Sequence, residues 1–148
     1  MKKKYLYFVG IDISKEHLDF AIYVNGTVKY HQRIDNQEEV IEQYIKEELS
    51  KHLDLSLSLF CMENTGIYTN RLLRVLVAQN CAIWLEHAMQ IKQSMGLVRG
   101  KNDKIDAHRI AEYAHRFQDK ICLYAPSKQS LRKLKALQTL RNRLVKVQ

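Results

Sequence analysis

An Asn-Gly pair at residues 25 and 26 constrains the fold of this chain more than any other short feature. Both residue types tolerate the positive φ angles of a type I′ turn, so the pair predicts a tight hairpin between HLDFAIYV (17–24) and TVKYHQRI (27–34). A segment rich in β-branched and aromatic residues, YLYFVGID (5–12), precedes this hairpin and also reads as a strand. Three antiparallel strands in succession are therefore expected.

The following segments alternate between helix and strand patterns. An apolar stripe predicts a helix over 36–53, and LSLSLFCM (55–62) predicts a strand that ends at Glu63. A helix over 65–80, a strand over 81–88 and a helix that begins near residue 103 complete the order β-β-β-α-β-α-β-α. We predict an α/β protein with a mixed five-stranded sheet and flanking helices. This is the element order of the ribonuclease H-like (RuvC-like) fold, whose first and fourth strands are parallel neighbours at the sheet centre.

Length and composition are those of a globular domain. The chain has 148 residues, of which 46% are hydrophobic and 27% charged. Its cysteines, Cys61, Cys81 and Cys122, are odd in number and lack C-x-x-C spacing, which argues against a disulfide framework or a zinc site and favours a reducing compartment. No segment approaches the roughly 18 apolar residues of a membrane span. We expect a cytoplasmic protein without a membrane partner.

The net charge of +8 is concentrated in the C-terminal segment. Residues 127–148 hold seven Lys or Arg and no acid, whereas the remainder holds 17 basic and 16 acidic residues. Charge alone fits a polyanion partner and a solvated helix face equally well. Leu137, Leu140, Leu144 and Val147 alternate in steps of three and four, as in a coiled coil. We expect a domain over 1–126, followed by a basic helical arm over 127–148 that supports self-association.

Four acidic residues are candidates for a metal site. Asp12 and Glu63 stand where the first and fourth strands end, so parallel pairing would bring them together at one edge of the sheet. Asp103 and Asp106 stand at the start of the last predicted helix, where acids also act as caps. Each precedes a member of that helix's apolar stripe by four residues, so we expect both carboxylates to extend the buried stripe toward the sheet.

Four carboxylates at one edge could not all stay ionised without a cation. Oxygen ligands of this kind suit Mg²⁺ or Mn²⁺. A pair of such ions can activate the attacking oxygen and stabilise the leaving oxygen of a phosphodiester. We therefore favour metal binding over helix capping for Asp103 and Asp106, although Asp103 can do both.

Three segments resemble motifs of the DEDD-type insertion-sequence transposases, a family that includes pilin-gene invertases and bridge-RNA-guided recombinases. GIDISKEHLDFAI is similar to the first motif and carries its D at Asp12. MENTGIYTNRLLRVL resembles the E-x-T-G-x-Y motif and carries Glu63, and KNDKIDAHRIAEYA resembles the K-x-D-x-x-D-A motif and carries Asp103 and Asp106. The resemblance implies a RuvC-like catalytic domain that cleaves and exchanges DNA strands with a divalent metal.

The resemblance also implies a longer protein. Family members continue through a coiled coil into a second domain with a catalytic serine, and Ser127 and Ser130 lie too early to be that residue. We therefore expect these 148 residues alone not to complete recombination. A structured guide RNA is a further partner that the family suggests, and the arm suggests a homo-oligomer.

Basic residues beside the carboxylates and in the arm are candidate nucleic-acid contacts. They are Lys15, Lys101, Lys104, Arg132, Lys133, Lys135, Arg141 and Arg143. Two other functions stay open: a non-catalytic module that binds guide RNA or DNA and dimerises, and a stand-alone Holliday-junction resolvase. An Asp12→Asn substitution separates the first of these from an enzyme, because a pure binding module would tolerate it.

Overall fold

The computed structural model of the protein describes residues 4–96 and 106–126. Five strands form one sheet in the order β3-β2-β1-β4-β5. They are β1 (Tyr7–Ile13), β2 (His17–Val24), β3 (Thr27–Asp35), β4 (Ser58–Glu63) and β5 (Ala82–Glu86). The β2–β3 hairpin turns at Asn25 and Gly26, whose φ angles are 53° and 85°. β1 lies at the centre, antiparallel to β2 and parallel to β4, so the predicted mixed sheet is confirmed.

Four α-helices lie within the described ranges. They are α1 (Glu38–Gln43), α2 (Asn70–Ala78), α3 (Ala88–Ser94) and α4 (Ala107–Arg116). The helix expected over 36–53 is segmented, since α1 passes into a π-helical turn (Tyr44–Glu48) and then a 3₁₀ turn (Leu49–Lys51). None of the helices in this part of the chain is long and apolar enough to span a membrane.

Three of the predicted boundaries are wrong. Leu55–Leu57 is a 3₁₀ turn instead of strand, because the Asp54 carboxylate accepts hydrogen bonds from the backbone N–H and the hydroxyl of Ser56. The last strand ends at Glu86 instead of residue 88. The helix α3 that follows is not predicted from the sequence, because seven residues are too few to show a clear helical period of apolar residues. α4 begins at Ala107 instead of near residue 103. The predicted arm over 127–148 lies outside the described residues.

Side chains alternate along each strand and give the sheet two different faces. One face packs against α1 and α2 and contributes Ile11 and Phe60 to an apolar cluster. The other face packs against α4 and α3, where Phe8 and Trp84 cluster with Tyr113. Asp12 lies on the same face as Phe8, because the two residues are an even number of positions apart.

A glycine in β1 allows α4 to lie directly against the sheet. A Cβ atom at Gly10 would stand 2.2 Å from the Ala107 carbonyl oxygen and 2.3 Å from the Ala111 backbone nitrogen. Near the other end of α4, the His115 ring contacts Phe8, with 5.3 Å between ring centroids. α4 therefore runs opposite to β1, and its first turn is nearest the carboxyl end of that strand.

Candidate metal and catalytic site

Asp12 and Glu63 are neighbours at the carboxyl edge of the sheet. β1 and β4 pair in parallel with Ile11 opposite Met62, so the next residues along the two strands are Asp12 and Glu63. Both residues are half-buried. Asp12 lies two positions after Gly10, and Glu63 lies two positions after Cys61. Because Gly10 and Cys61 belong to the face that packs against α4, Asp12 and Glu63 lie on that face as well.

The electrostatics of this pair favour a bound cation. Burial, and then the charge of Asp12, raise the pKa of the Glu63 carboxyl above its ordinary value of 4.5, while Lys92 on α3 lowers it. Two carboxylates that oppose each other's ionisation are stabilised when a cation lies between them. Their hard oxygen donors suit Mg²⁺ or Mn²⁺. The residues present therefore fit a divalent metal.

Asp106 is the N-cap residue of α4. Its backbone is extended, with φ −83° and ψ 169°, and its Oδ1 accepts a 2.9 Å hydrogen bond from the Arg109 backbone N–H. The residue is exposed, so the expectation that its carboxylate extends the buried stripe is wrong. The physical reason is that an N-cap lies outside the helical turns, where a helical wheel does not apply. Capping by Asp106 is therefore observed, and metal binding by it stays a prediction.

The other predicted site residues are divided between described and undescribed parts of the chain. Lys15 is exposed and lines an open cleft of about 930 Å³, together with Tyr68 and Arg71. Within residues 4–96 and 106–126, no group of three or more His, Cys, Asp or Glu side chains is arranged to hold a metal ion. The predicted residues that lie outside the described ranges are Lys101, Asp103, Lys104, Arg132, Lys133, Lys135, Arg141 and Arg143.

Two further carboxylates on the same face are not anticipated from the sequence. Asp19 on β2 pairs with Asp12, and Glu86 on β5 pairs with Glu63. The four acids therefore form one row across four strands, at the level where β1, β4 and β5 end. Both additional acids interrupt apolar strand patterns, which is a visible signal. Their position in the row depends on strand register, which the sequence alone does not fix.

Glu86 connects β5 to α4. Its Oε2 accepts a 3.1 Å hydrogen bond from the Tyr113 hydroxyl, and its Oε1 accepts a 3.0 Å bond from the His87 backbone N–H. Tyr113 is only 1% exposed, and its pKa is raised by burial and then by the charge and hydrogen bond of Glu86. This bond fixes α4 relative to the strand edge from which the candidate ligands project.

The sheet order, with β1 antiparallel to β2 and parallel to β4, is that of the ribonuclease H-like fold. Two solved structures of Thermus thermophilus RuvC share the fold. The first is RuvC in complex with a Holliday junction substrate, with a TM-score of 0.57, 13% identity, and coverage of 81% of this chain and 100% of that chain. The second is a RuvC structure with a TM-score of 0.51, 14% identity, and coverage of 78% and 98%. At these identities the similarity establishes the fold alone.

The family follows from the sequence match. The family model for IS110-type DEDD elements, described as a transposase, matches residues 9–147. The chain therefore belongs to the IS110-type DEDD transposases, and the predicted class of enzyme, a transposase or recombinase nuclease domain, is confirmed. Nucleases of this type depend on divalent metal. A search of curated protein sequences found no significant match.

Proposed function

We propose that Asp12, Glu63, Asp103 and Asp106 together bind Mg²⁺ or Mn²⁺ at a DNA phosphodiester, as the catalytic domain of a transposase that cleaves and exchanges DNA strands. The observation that carries this proposal is the parallel pairing of β1 with β4, which sets two carboxylates from different strands side by side. The raised pKa of Glu63 supports it, because a cation would relieve the repulsion from Asp12. The first turn of α4 lies nearest the same strand ends, and Asp106 is the N-cap that directly precedes it.

The strand residues and the helix residue of the proposed site contribute in different ways. Asp12 and Glu63 extend from paired strands of the sheet centre, so their oxygens are held in fixed positions. Asp106 uses Oδ1 for the cap of α4, which leaves Oδ2 as the oxygen for a ligand. When bound, the metal polarises the phosphodiester and lowers the pKa of the attacking oxygen.

DNA is the proposed partner. RuvC, which shares the fold, is known in complex with a Holliday junction, and the net charge of +8 suits a polyanion. The proposed contacts are Lys15 near the site and the basic residues predicted outside the described ranges. We further propose that the catalytic domain ends at residue 126 and that the basic arm over 127–148 joins copies of the chain into a homo-oligomer. A structured guide RNA is a second proposed partner.

A Mn²⁺ titration followed by electron paramagnetic resonance tests the site directly. Wild-type protein is expected to bind Mn²⁺, and Asp12→Asn is expected to bind it at least about tenfold more weakly, since even outer-shell changes cost that much. The matched control is Asp54→Asn at the opposite edge of the same sheet, which keeps an oxygen for the Ser56 bond and should bind Mn²⁺ normally.

Metal-dependent nicking of branched DNA is the second readout. It is expected to be lost in Asp12→Asn and kept in Asp54→Asn. Equal Mn²⁺ affinity of all three proteins would contradict the proposed site. An Asp12→Asn variant that retains every activity of the wild type would identify a non-catalytic binding module instead.

A further inference from the structure

The row of acids continues toward the edge strand β3 with a buried carboxylate. Asp19 is 8% exposed and lies in register with Asp12 on the neighbouring strand. A carboxylate in such a position is costly unless it is paired and hydrogen-bonded. Its partners therefore show what the position is built to hold.

Both partners of Asp19 come from β3 and extend toward solvent. The Arg33 Nε donates to Asp19 Oδ1 at 3.0 Å, and the Arg33 Nη2 donates to Oδ2 at 3.3 Å. The His31 Nε2 lies 3.2 Å from Oδ1. The Arg33 and His31 side chains are 59% and 48% exposed, against 12% for the Asp19 side chain. The acid is buried, whereas the Arg33 guanidinium and the His31 ring are accessible.

The two bonds to Asp19 hold the Arg33 guanidinium in a fixed orientation. They use Nε and Nη2, and within residues 4–96 and 106–126 Nη1 has no hydrogen-bond acceptor. A guanidinium held in this way is a rigid cation with donors in the planar arrangement that matches phosphate oxygens. The hydrogen bond and charge of Asp19 raise the pKa of Arg33, and the charge of Asp12 adds to this increase.

Arg33 also lies in the correct part of the molecule for a substrate contact. Arg33 on β3 lies opposite Asp19 on β2, and Asp19 lies opposite Asp12 on β1. All three side chains therefore share the face that packs against α4. His108 in the first turn of α4 lies beside His31, with 5.3 Å between the ring centroids. The carboxylate row repels a polyanion, and the positive charge of Arg33 on the β3 side offsets that repulsion.

We propose that Arg33 binds a DNA backbone phosphate beside the candidate metal site, on the β3 side of Asp12. Asp19 is the positioning residue, since it holds the guanidinium and contacts no DNA itself. This inference rests on the proposed function, because it assumes that DNA lies across the carboxylate row. An ion pair that served only to join β2 and β3 would leave DNA affinity insensitive to Arg33.

The test measures the affinity for duplex DNA at several salt concentrations in EDTA, so that no metal is required. Each phosphate contact contributes about 0.9 to the slope of log Kobs against log salt. The Arg33→Gln variant is expected to bind more weakly and to lose about that much of the slope. Arg33→Lys keeps a charge and is expected to retain most of the slope.

Lys46→Gln is the matched control. Lys46 is 50% exposed and forms a 2.8 Å ion pair with Glu42 in the layer on the opposite face of the sheet. Its removal changes the net charge by the same amount as Arg33→Gln, and the slope should stay at the wild-type value. The double variant Asp19→Asn/Arg33→Gln should bind DNA no more weakly than Arg33→Gln alone, because Asp19 acts through Arg33.

An unchanged slope in Arg33→Gln, whatever its effect on thermal stability, would overturn the inference. The Mn²⁺ titration of the wild-type protein separates this result from the proposed function. Normal Mn²⁺ binding with an unchanged slope contradicts the Arg33 contact alone. A reduced slope together with no Mn²⁺ binding supports the contact and contradicts the metal site alone.

Discussion

The two faces of the sheet use the same alternating strands for different purposes. The face against α1 and α2 stays apolar up to the carboxyl edge, where Ile13 and Met62 are buried. The face against α4 is apolar from its other end, at Phe8, as far as Trp84, and carries Asp12 and Glu63 at the carboxyl edge. One face therefore supplies stability, and the other gives up part of its apolar contact to hold the candidate site. Since adjacent residues of a strand lie on opposite faces, single substitutions can test each face separately.

The largest effect is expected at Gly10. An added Cβ would meet backbone atoms of Ala107 and Ala111, which cannot rotate away, so α4 must move. Gly10→Ala should lower the free energy of unfolding by roughly 3 kcal/mol, at the upper end of overpacking costs. Because α4 carries Asp106, the variant should also lose Mn²⁺ affinity at temperatures where it remains folded. Chemical denaturation and a Mn²⁺ titration measure the two effects.

Val9→Ala is the control from the same strand. Val9 is fully buried on the opposite face, and its truncation should cost about 1–2 kcal/mol, within the range for removing buried methyl groups. Mn²⁺ affinity should not change, since α4 keeps its position. Equal losses of Mn²⁺ affinity in the two variants would mean that the faces are not independent.

The second prediction concerns Tyr113 and Tyr44, two buried tyrosines that lie on opposite faces of the sheet. Tyr113→Phe removes the bond to Glu86 and leaves a carboxylate without that donor, which should cost about 2 kcal/mol. Tyr44→Phe removes a 3.0 Å bond to the Tyr30 hydroxyl on the other face and should cost about 1 kcal/mol. Of the two variants, only Tyr113→Phe should weaken Mn²⁺ binding, because the Tyr113–Glu86 bond holds α4 in place and the Tyr44–Tyr30 bond does not contact α4. Mn²⁺ affinities that fall equally in both variants would contradict a positioning role for Tyr113.

The sequence predicts the sheet well because its signals are local. The Asn25-Gly26 turn and the apolar strand segments depend on neighbouring residues, and they predict the order of strands and helices along the chain. That element order is the one of the ribonuclease H-like fold, which supplies the observed pairing of β1 with β4. The row that contains Asp19 and Glu86 depends instead on register between strands that are distant in sequence, and no local pattern encodes it. For α4, the helical wheel assigned a buried orientation to Asp106, whereas its extended N-cap backbone leaves it exposed.

The third prediction separates capping from metal binding at Asp106. Asp106→Ala removes the acceptor for the Arg109 N–H and should cost about 1 kcal/mol. Asp106→Asn keeps a capping oxygen, so its stability should stay close to that of the wild type. Both variants should lose Mn²⁺ affinity if the carboxylate is a ligand. Normal Mn²⁺ binding in Asp106→Asn would reduce the role of this residue to a helix cap.

The smallest expected effect is an increase in the free energy of unfolding, whereas the preceding alanine and phenylalanine substitutions lower it. Burial and the charge of Asp12 raise the pKa of Glu63 in the folded protein, so ionisation of Glu63 is less favourable folded than unfolded. Stability from this group is therefore fully present below its ordinary pKa of 4.5 and decreases as the pH rises through the raised folded value. Glu63→Gln should stabilise the metal-free protein at neutral pH, by at most about 1 kcal/mol because solvent screens two half-exposed charges.

Thermal unfolding in EDTA at pH 7 and at pH 4 measures this difference. The stabilisation of Glu63→Gln over the wild type should be present at pH 7 and smaller at pH 4, where the wild-type carboxyl is largely protonated. Glu47→Gln, an exposed residue of the opposite layer, should match the wild type at both values. Added Mn²⁺ should then reverse the order at pH 7, since only the wild type gains binding energy from the metal. If the wild type is more stable than Glu63→Gln in EDTA, the Glu63 carboxylate stabilises the fold without metal. The loss of stability caused by the candidate site would then come from other residues of this face.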